Sequence, residues 1–600
     1  MTRLPPLANV SCNADGLIFG DDFGDSYYSR NDGLGESRAV FLGGAHLPDA
    51  WQGRSSFVIG ELGFGTGLNF LATWDLWRKH RPSDGVLHYF SVEGFLLDSE
   101  KARAAHGHWP QLEELSLKLT KRWPVRSFGA QRIWFDDDNV CLTVLIGPCR
   151  DALSRMDFQA DCWFLDGFSP SKNPQMWSDD VLTQIKRLSA PHARVATYSV
   201  AGAVRQGLSD QGFVVAKVPG FAFKRERLEA HLPGVCVAEI QKPKRAIVIG
   251  GGIAGCSIAA ALLRRGIEVE LFDGDTCGRT KASGNPLALV MPRLDRADTR
   301  EARFFRAAYL MALDAYQQMG DGFFATTGVR EICVGDDKRE RHLSLGDDPP
   351  LPPSHLTKAA DNALVHHQAG LVYPDAVLAH LRDGATRHPI NVARLVYKDA
   401  TWHAYDQAGT CVASADICVV ANGQAAAEFS TTGRYIRGRV GQLSWAPLHG
   451  DSVDMPLSGG AYCAPFGDKL MFGATYETWD MQAPPPCVRP EGHTENNALL
   501  AALAPDVAAR LVMSAASGRT SVRAATPDQL PMVGACEEGV PGKFVLCGLG
   551  SRGFTTAFLC AEMIAAGACG EPSPVERDVA IALSPDRFAK REQRRMTAKT

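Results

Sequence analysis

The chain of 600 residues lacks any strong excess of charge: 63 Lys and Arg stand against 67 Asp and Glu, a formal net charge of −4. That excludes a global pull on nucleic acid, so a polyanionic partner would have to meet a local basic patch. The 16 cysteines include no C-x-x-C pair and none clusters with histidines at zinc spacing. No metal is therefore expected, and the thiols read as reduced and mostly buried, as in a cytoplasmic protein. No apolar core of signal-peptide length precedes Asp15. The acidic run Asp136, Asp137, Asp138 lacks the spacing of a calcium loop and reads as an exposed turn. His366 and His367 have no matching ligands and read as surface or core. Hydrophobic content of 45% and charged content of 22% are ordinary for globular proteins, and the length implies more than one domain.

One uncharged stretch, residues 246–263, is flanked by Lys and Arg and is barely long enough to cross a bilayer. Three consecutive glycines, 250–252, break it into an apolar strand and a small-residue helix, so no membrane partner is expected. Gly250, Gly252 and Gly255 form G-x-G-x-x-G: one glycine for the tight turn, one for backbone approach to a pyrophosphate, one for helix-on-strand packing. The helix N-terminus then offers free N–H groups to phosphate. Asp273 ends the next strand, 268–272, where an acid can bind a ribose hydroxyl.

The same stretch divides the chain. Residues 1–235 carry a second strand, glycine turn and helix: E-L-G-F-G-T-G-L-N-F, with Glu61 ahead of Gly63, Gly65 and Gly67. The spacing G-x-G-x-G behind an acid suits a nucleoside with a charged side group, as in S-adenosyl-L-methionine, better than a pyrophosphate. Glu93 ends the following strand, placed for both ribose hydroxyls. A later buried strand, 160–165, ends in D-G-F-S-P-S-K-N-P. Displacement at a sulfonium needs an oriented neutral amine and a nearby acceptor for its proton. Asp166 is the candidate acceptor, against the plainer reading of a strand-end Asp as a turn cap. Lys224 and Arg225 face either RNA phosphate or solvent.

Residues 246–600, behind a linker at 236–245, return to a dinucleotide several times. A small-residue loop at 282–293 includes Ser283 and Asn285; a strand ends in A-N-G with Ala421 and Gly423, typical of FAD rather than NAD binding; and G-L-G-S-R-G places Gly548, Gly550 and Gly553 ahead of a helix. Short glycine-bounded alternating runs at about 430–515 suit an antiparallel substrate sheet.

The motifs D-D-F-G-D-S-Y-Y-S, G-L-G-E-S-R-A-V-F-L, E-L-G-F-G-T-G-L-N-F, D-G-F-S-P-S-K-N-P and K-R-E-R together resemble the methyltransferase half of the bacterial bifunctional family that completes 5-methylaminomethyl-2-thiouridine at the tRNA wobble position. The second half, through G-L-V-Y-P, R-G-R-V-G-Q, R-A-A-T-P-D-Q-L-P-M-V-G and G-L-G-S-R-G, is similar to the D-amino-acid, glycine and sarcosine oxidase group. In place of the glycine expected shortly after Ser283-Gly284-Asn285, this chain has Pro286-Leu287-Ala288. The resemblance implies an α/β protein: an N-terminal Rossmann-like class I methyltransferase fold, then a C-terminal FAD-binding Rossmann-type domain with an antiparallel substrate domain. It implies a hydride-accepting flavin and an arginine that clamps a carboxylate, for which Arg552 and Arg523 are the candidates; Arg523 could instead merely pair with Asp528. It also implies a tRNA anticodon loop as partner, two cofactors, FAD and S-adenosyl-L-methionine, and a monomer in the cytoplasm. Basic candidates for the RNA are Lys172, Lys224, Arg225, Lys242, Lys244, Arg245, Arg437, Arg439 and the tail at 590–599.

Removing a carboxymethyl group from a secondary amine leaves a primary amine, which is what an amine methyltransferase needs. Two other readings stand beside this one. A fused methyltransferase and small-molecule amino-acid oxidase would turn over glycine without RNA. A non-catalytic flavin- or RNA-binding protein would have decayed sites.

Overall fold

The computed structural model describes residues 3–13, 17–29, 32–222, 224–235, 241–274, 281–480, 483–536 and 540–597. Part of the expected linker, 236–240, and Lys599 of the basic tail lie outside these residues. The chain forms two compact units, one of residues 1–242 and 570–577, the other of 243–569 and 578–600. In place of a single boundary, the segment 570–577 returns to the first unit. Arg132 Nη2 donates to the carbonyls of Pro572 and Ser573 at 3.0 and 3.3 Å, and buried His88 lies 3.5 Å from Glu571.

The first unit is an eight-stranded sheet in the order Val214–Pro219, Glu226–His231, Ser189–Thr197, Ala160–Leu165, Ser56–Leu62, Val86–Glu93, Val140–Ile146, Gly129–Phe135. The inner strands pair in parallel and the edges antiparallel. Val86–Glu93 is buried at every position and Ser56–Leu62 at all but its first, as expected where helices cover both faces of a parallel sheet. Trp51, Trp74, Trp77 and Phe70 fill one core layer. The loops after the inner strands therefore open at one edge, where α/β folds bind ligands.

The second unit has a six-stranded sheet ordered Thr386–His388, Glu268–Phe272, Arg245–Ile249, Ile417–Val420, Lys543–Cys547, Met532–Ala535. The uncharged stretch resolves into the strand Arg245–Ile249 and the helix Ile253–Leu263, and among the described residues no helix is long and apolar enough to cross a membrane. The helix Gly553–Cys569 packs against Ile253–Leu263. Arg265 joins them, donating to Glu562 through two nitrogens at 3.1 and 2.7 Å with both side chains buried. Truncating one partner leaves a buried charge uncompensated, so Glu562→Ala is expected to destabilise this unit by about 3–5 kcal/mol. Denaturant melts of the flavin-loaded chain check this.

A second, nine-stranded sheet is built around Arg437–Pro447, which pairs antiparallel with Lys469–Gly473, Glu477–Trp479 and Ser517–Ala525. It also recruits Val329–Glu331, Leu356–Lys358 and Leu364–His366, all upstream of the run seen in the sequence. His366 is a core residue there, with Nε2 2.9 Å from Glu331 Oε2. Asp136–Asp138 is a short turn, as expected, though Trp74 Nε1 donates to Asp138 at 2.9 Å.

Candidate functional sites

Each unit holds a large cavity at the C-terminal edge of its parallel strands. In the first unit it encloses about 1140 Å³. Gly63, Gly65, Glu93 and Asp166 line it; Glu61 and Gly67 lie just behind. The glycine loop needs its glycines: Gly63, Gly65 and Gly67 have φ of +88°, +52° and +77°, a region that side chains disfavour. A Cβ on Gly63 would also fall 2.6 Å from the Asp166 carbonyl oxygen. The Glu93 carboxylate accepts the Gly65 and Phe95 N–H groups at 2.8 and 2.7 Å, which fixes it at the strand end. Burial pushes its pKa up, and those two donors oppose the shift. This loop, a fixed carboxylate and the empty space a side chain would fill match the needs of S-adenosyl-L-methionine.

Asp166 is joined to Glu61 through a residue that the sequence reading did not single out. Asn69, in the first turn of Leu68–His80, donates through Nδ2 to Asp166 Oδ2 at 2.6 Å and to Glu61 Oε1 at 3.0 Å. Its Oδ1 accepts from Ser37 Oγ at 2.6 Å, which settles the amide orientation. Ser91 Oγ donates to the other Glu61 oxygen at 2.6 Å. Burial raises Glu61 to about 8 and Asp166 to about 7, with the Asn69 hydrogen bond lowering each. A polar side chain within the otherwise apolar L-N-F-L-A-T-W was the available signal for Asn69.

Lys224 does not stand as a free surface cation. Its Nζ is 2.6 Å from Glu36 Oε1 and 4.2 Å from the Tyr198 ring centroid, and all three residues line the cavity. Tyr198 donates to the Gly167 carbonyl at 2.6 Å, next to Asp166. Lys172 is likewise engaged, with Nζ 3.2 Å from Asp25. In the tail, Arg587–Thr597 forms a helix and Arg591 donates to Asp528 at 2.9 Å.

The second cavity encloses about 1320 Å³. Gly250, Gly252, Asp273, Ser283 and Asn285 line it on one side, Ala421, Gly423, Gly548, Gly550 and Gly553 on another. Gly255 lies in the helix behind, where a Cβ would fall 1.7 Å from the Gly250 carbonyl oxygen. Ser283 Oγ accepts the Ile253 N–H at 3.0 Å, so the small-residue loop is tied to the helix N-terminus. Asp273 is held by Lys281, whose Nζ is 2.7 Å from both carboxylate oxygens. Asn285 accepts from Arg519 at 2.7 Å, which anchors the loop despite its Pro-Leu-Ala sequence; Ala288 begins a strand and still lines the cavity. Asn422 also lines the cavity, and its buried Oδ1 has no hydrogen-bond partner among the described residues. An orphaned acceptor beside a glycine loop is what FAD would meet.

Arg523 and Arg552 both line this cavity. Arg523 does not pair with Asp528, which is taken by Arg587 at 2.9 Å and by Arg591. Among the described residues no carboxylate forms an ion pair with Arg523 or Arg552. Burial lowers the pKa of each, with Arg293 adding to the effect at Arg552. Tyr462, another lining residue, is pushed up to about 12 by burial, while the charge of Arg523 opposes that shift. Arg437 instead donates to the carbonyls of Arg434 and Ile436.

Residues 110–233 match the S-adenosyl-L-methionine-dependent methyltransferase family and residues 245–566 the FAD dependent oxidoreductase family. Over 585 residues the chain is 40% identical to the tRNA 5-methylaminomethyl-2-thiouridine biosynthesis bifunctional protein MnmC of Caulobacter vibrioides, covering 96% of each chain. It is 40% identical to the protein of that name from Maricaulis maris, covering 96% of this chain and 94% of the relative. A solved glycine oxidase from Geobacillus kaustophilus matches at 17% identity and a TM-score of 0.47, covering 57% of this chain and 98% of that one.

Proposed function

Since the chain belongs to the MnmC family of bifunctional tRNA 5-methylaminomethyl-2-thiouridine biosynthesis proteins, we propose that its two cavities perform successive reactions on one wobble uridine, and that their opposite charge sorts the substrates. The protein is an enzyme with two activities, using FAD and S-adenosyl-L-methionine. In the second unit the carboxymethylaminomethyl group is oxidised at the N–CH2 carbon of its carboxymethyl arm to an imine, which water hydrolyses to glyoxylate and an aminomethyl group. In the first, that primary amine is methylated. FAD, when bound, supplies the two-electron oxidation, and S-adenosyl-L-methionine the methyl group.

The observation that carries the assignment is the pair of arginines, Arg523 and Arg552, that line the second cavity without an ion-pair partner among the described residues. Arg523 is half-buried and Arg552 exposed where they line the cavity; a partly desolvated guanidinium favours an anion, and the arm's carboxylate is the group that only the first reaction's substrate carries. Arg523, beside Tyr462 on the substrate sheet, takes the role of carboxylate clamp; Arg552, in the loop Gly548 to Gly553, holds the neighbouring positive field. Gly250, Gly252, Gly548, Gly550, Ser283 and Asn422 cradle FAD. Asp273, oriented by Lys281, faces the ribose.

The first cavity holds the reverse charge. Asp25, Glu36, Glu93, Asp151 and Asp166 outnumber Arg150 and Lys224 in its lining, so an acceptor that arrives as an ammonium is favoured and a carboxylate-bearing substrate is repelled. Glu93 binds the ribose hydroxyls of S-adenosyl-L-methionine. Asp166 takes the proton from the amine and Asn69 holds its carboxylate in line. The protein acts as a cytoplasmic monomer in this reading.

The test is to incubate the purified protein with tRNA bearing 5-carboxymethylaminomethyl-2-thiouridine, with and without S-adenosyl-L-methionine, and to weigh the nucleosides. Without it the aminomethyl nucleoside is expected to accumulate, and with it the methylaminomethyl form. A nucleoside mass unchanged in both arms sinks the proposal.

A further inference from the structure

We propose that Tyr476 is the platform on which the uracil ring stacks while its modified arm enters the oxidising cavity, an inference that rests on the function proposed above. Tyr476 follows the strand Lys469–Gly473, lines the cavity, and is 54% exposed. A large aromatic ring open at a cavity mouth is a binding feature when neighbouring groups fix it. Here two guanidinium groups do so: Arg439 Cζ lies 5.6 Å and Arg523 Cζ 5.9 Å from the ring centroid. Arg439 and Arg523 are register partners on the antiparallel strands Arg437–Pro447 and Ser517–Ala525, so their spacing is set by the sheet. Arg439 is anchored further by donating to Thr478 Oγ1.

The substrate's dimensions fit this arrangement. Four single bonds separate the carboxylate carbon of the arm from C5 of the uracil, about 5 Å when extended. A carboxylate clamped by Arg523 therefore leaves the ring within stacking distance of Tyr476. An unpaired base is also the form in which RNA is read outside a helix, by stacking on aromatic side chains. The positions cooperate: Arg523 senses the carboxylate that marks the unreacted substrate, and Tyr476 senses the base.

The experiment uses the full-length holoprotein with Tyr476→Ala and Tyr476→Phe. Anaerobic bleaching of the flavin is followed against the concentration of tRNA bearing 5-carboxymethylaminomethyl-2-thiouridine, together with methylation of tRNA bearing the aminomethyl form. Loss of one stacking ring is expected to raise the half-saturating tRNA concentration of Tyr476→Ala about tenfold to a hundredfold. Its maximal bleaching rate should stay within about twofold, because stacking is uniform binding. Tyr476→Phe should behave as wild type, and methylation should be unchanged in both. A half-saturation unchanged in Tyr476→Ala, a loss confined to the maximal rate, or equal damage in Tyr476→Phe overturns the inference. Absence of bleaching in the wild type overturns instead the functional reading on which it rests.

Discussion

Asp166→Asn is expected to stop the protein at the aminomethyl nucleoside, with methylation slowed by about 10²–10⁴-fold and oxidation untouched. The substitution keeps the shape and the contact with Asn69 but removes the proton acceptor. The pH profile gives the sharper signature. Burial holds Asp166 at about 7, helped upward by Glu36 and opposed by Asn69 and Lys224. The ionised form is the acceptor, so wild-type methylation should rise about tenfold per pH unit below about 7 and level off above it. In Asp166→Asn that inflection should be gone. Rates measured from pH 5.5 to 9 on aminomethyl tRNA decide it, and a surviving inflection near 7 would assign the acceptor elsewhere. The same shifts act on stability. Asp166 and Glu61, raised to about 7 and about 8 in the folded protein, cost nothing below the unfolded carboxylate value of about 4. Their cost grows as pH climbs above that value and is complete above the folded pKa, so the first unit is weakened on the alkaline side.

Gly255→Val is expected to give a colourless protein that has lost at least about tenfold in FAD content and all oxidation. The contact it creates is with backbone: even the first side-chain carbon would sit 1.7 Å from the Gly250 carbonyl oxygen. The helix Ile253–Leu263 must then move away from the loop that holds the pyrophosphate, and a Rossmann turn tolerates little such displacement. Methylation of tRNA already bearing the aminomethyl group should persist, because every residue lining that cavity belongs to the other unit. Visible spectra and nucleoside masses test both halves. A yellow Gly255→Val protein would show that the loop does not depend on this packing.

What could be read in the sequence is what is local. Gly250, Gly252, Gly63 and Gly65 announce their loops because a turn is set by a few consecutive residues, and Asp166 and Glu93 stand out as acids at the tips of apolar strands. The helix Ile253–Leu263 and the strand Glu268–Phe272 fall where the pattern puts them. Asn69, Glu36 and Tyr198 were less legible, since their roles depend on residues 97, 188 and 31 positions away along the chain: Asp166, Lys224 and Gly167. Lys224 is exposed, as its charge suggests, but sequence does not show that its loop turns it onto Glu36 at the cavity. The Arg523–Asp528 pairing suggested by proximity gave way to Arg587 and Arg591, supplied from the chain's last helix. Nearness in sequence is weak evidence for pairing once strands carry neighbours to opposite ends of a sheet.

The return of residues 570–577 to the first unit means that no single cut of the chain separates the two units cleanly. A fragment ending at residue 242 would keep the whole methylating cavity, yet leave Arg132 without the Pro572 and Ser573 carbonyls and His88 without Glu571. The missing octapeptide is thus a covalent keystone lent by the distal part of the gene product. Those contacts form only once residues 570–577 have left the ribosome, late in the synthesis of the 600-residue chain.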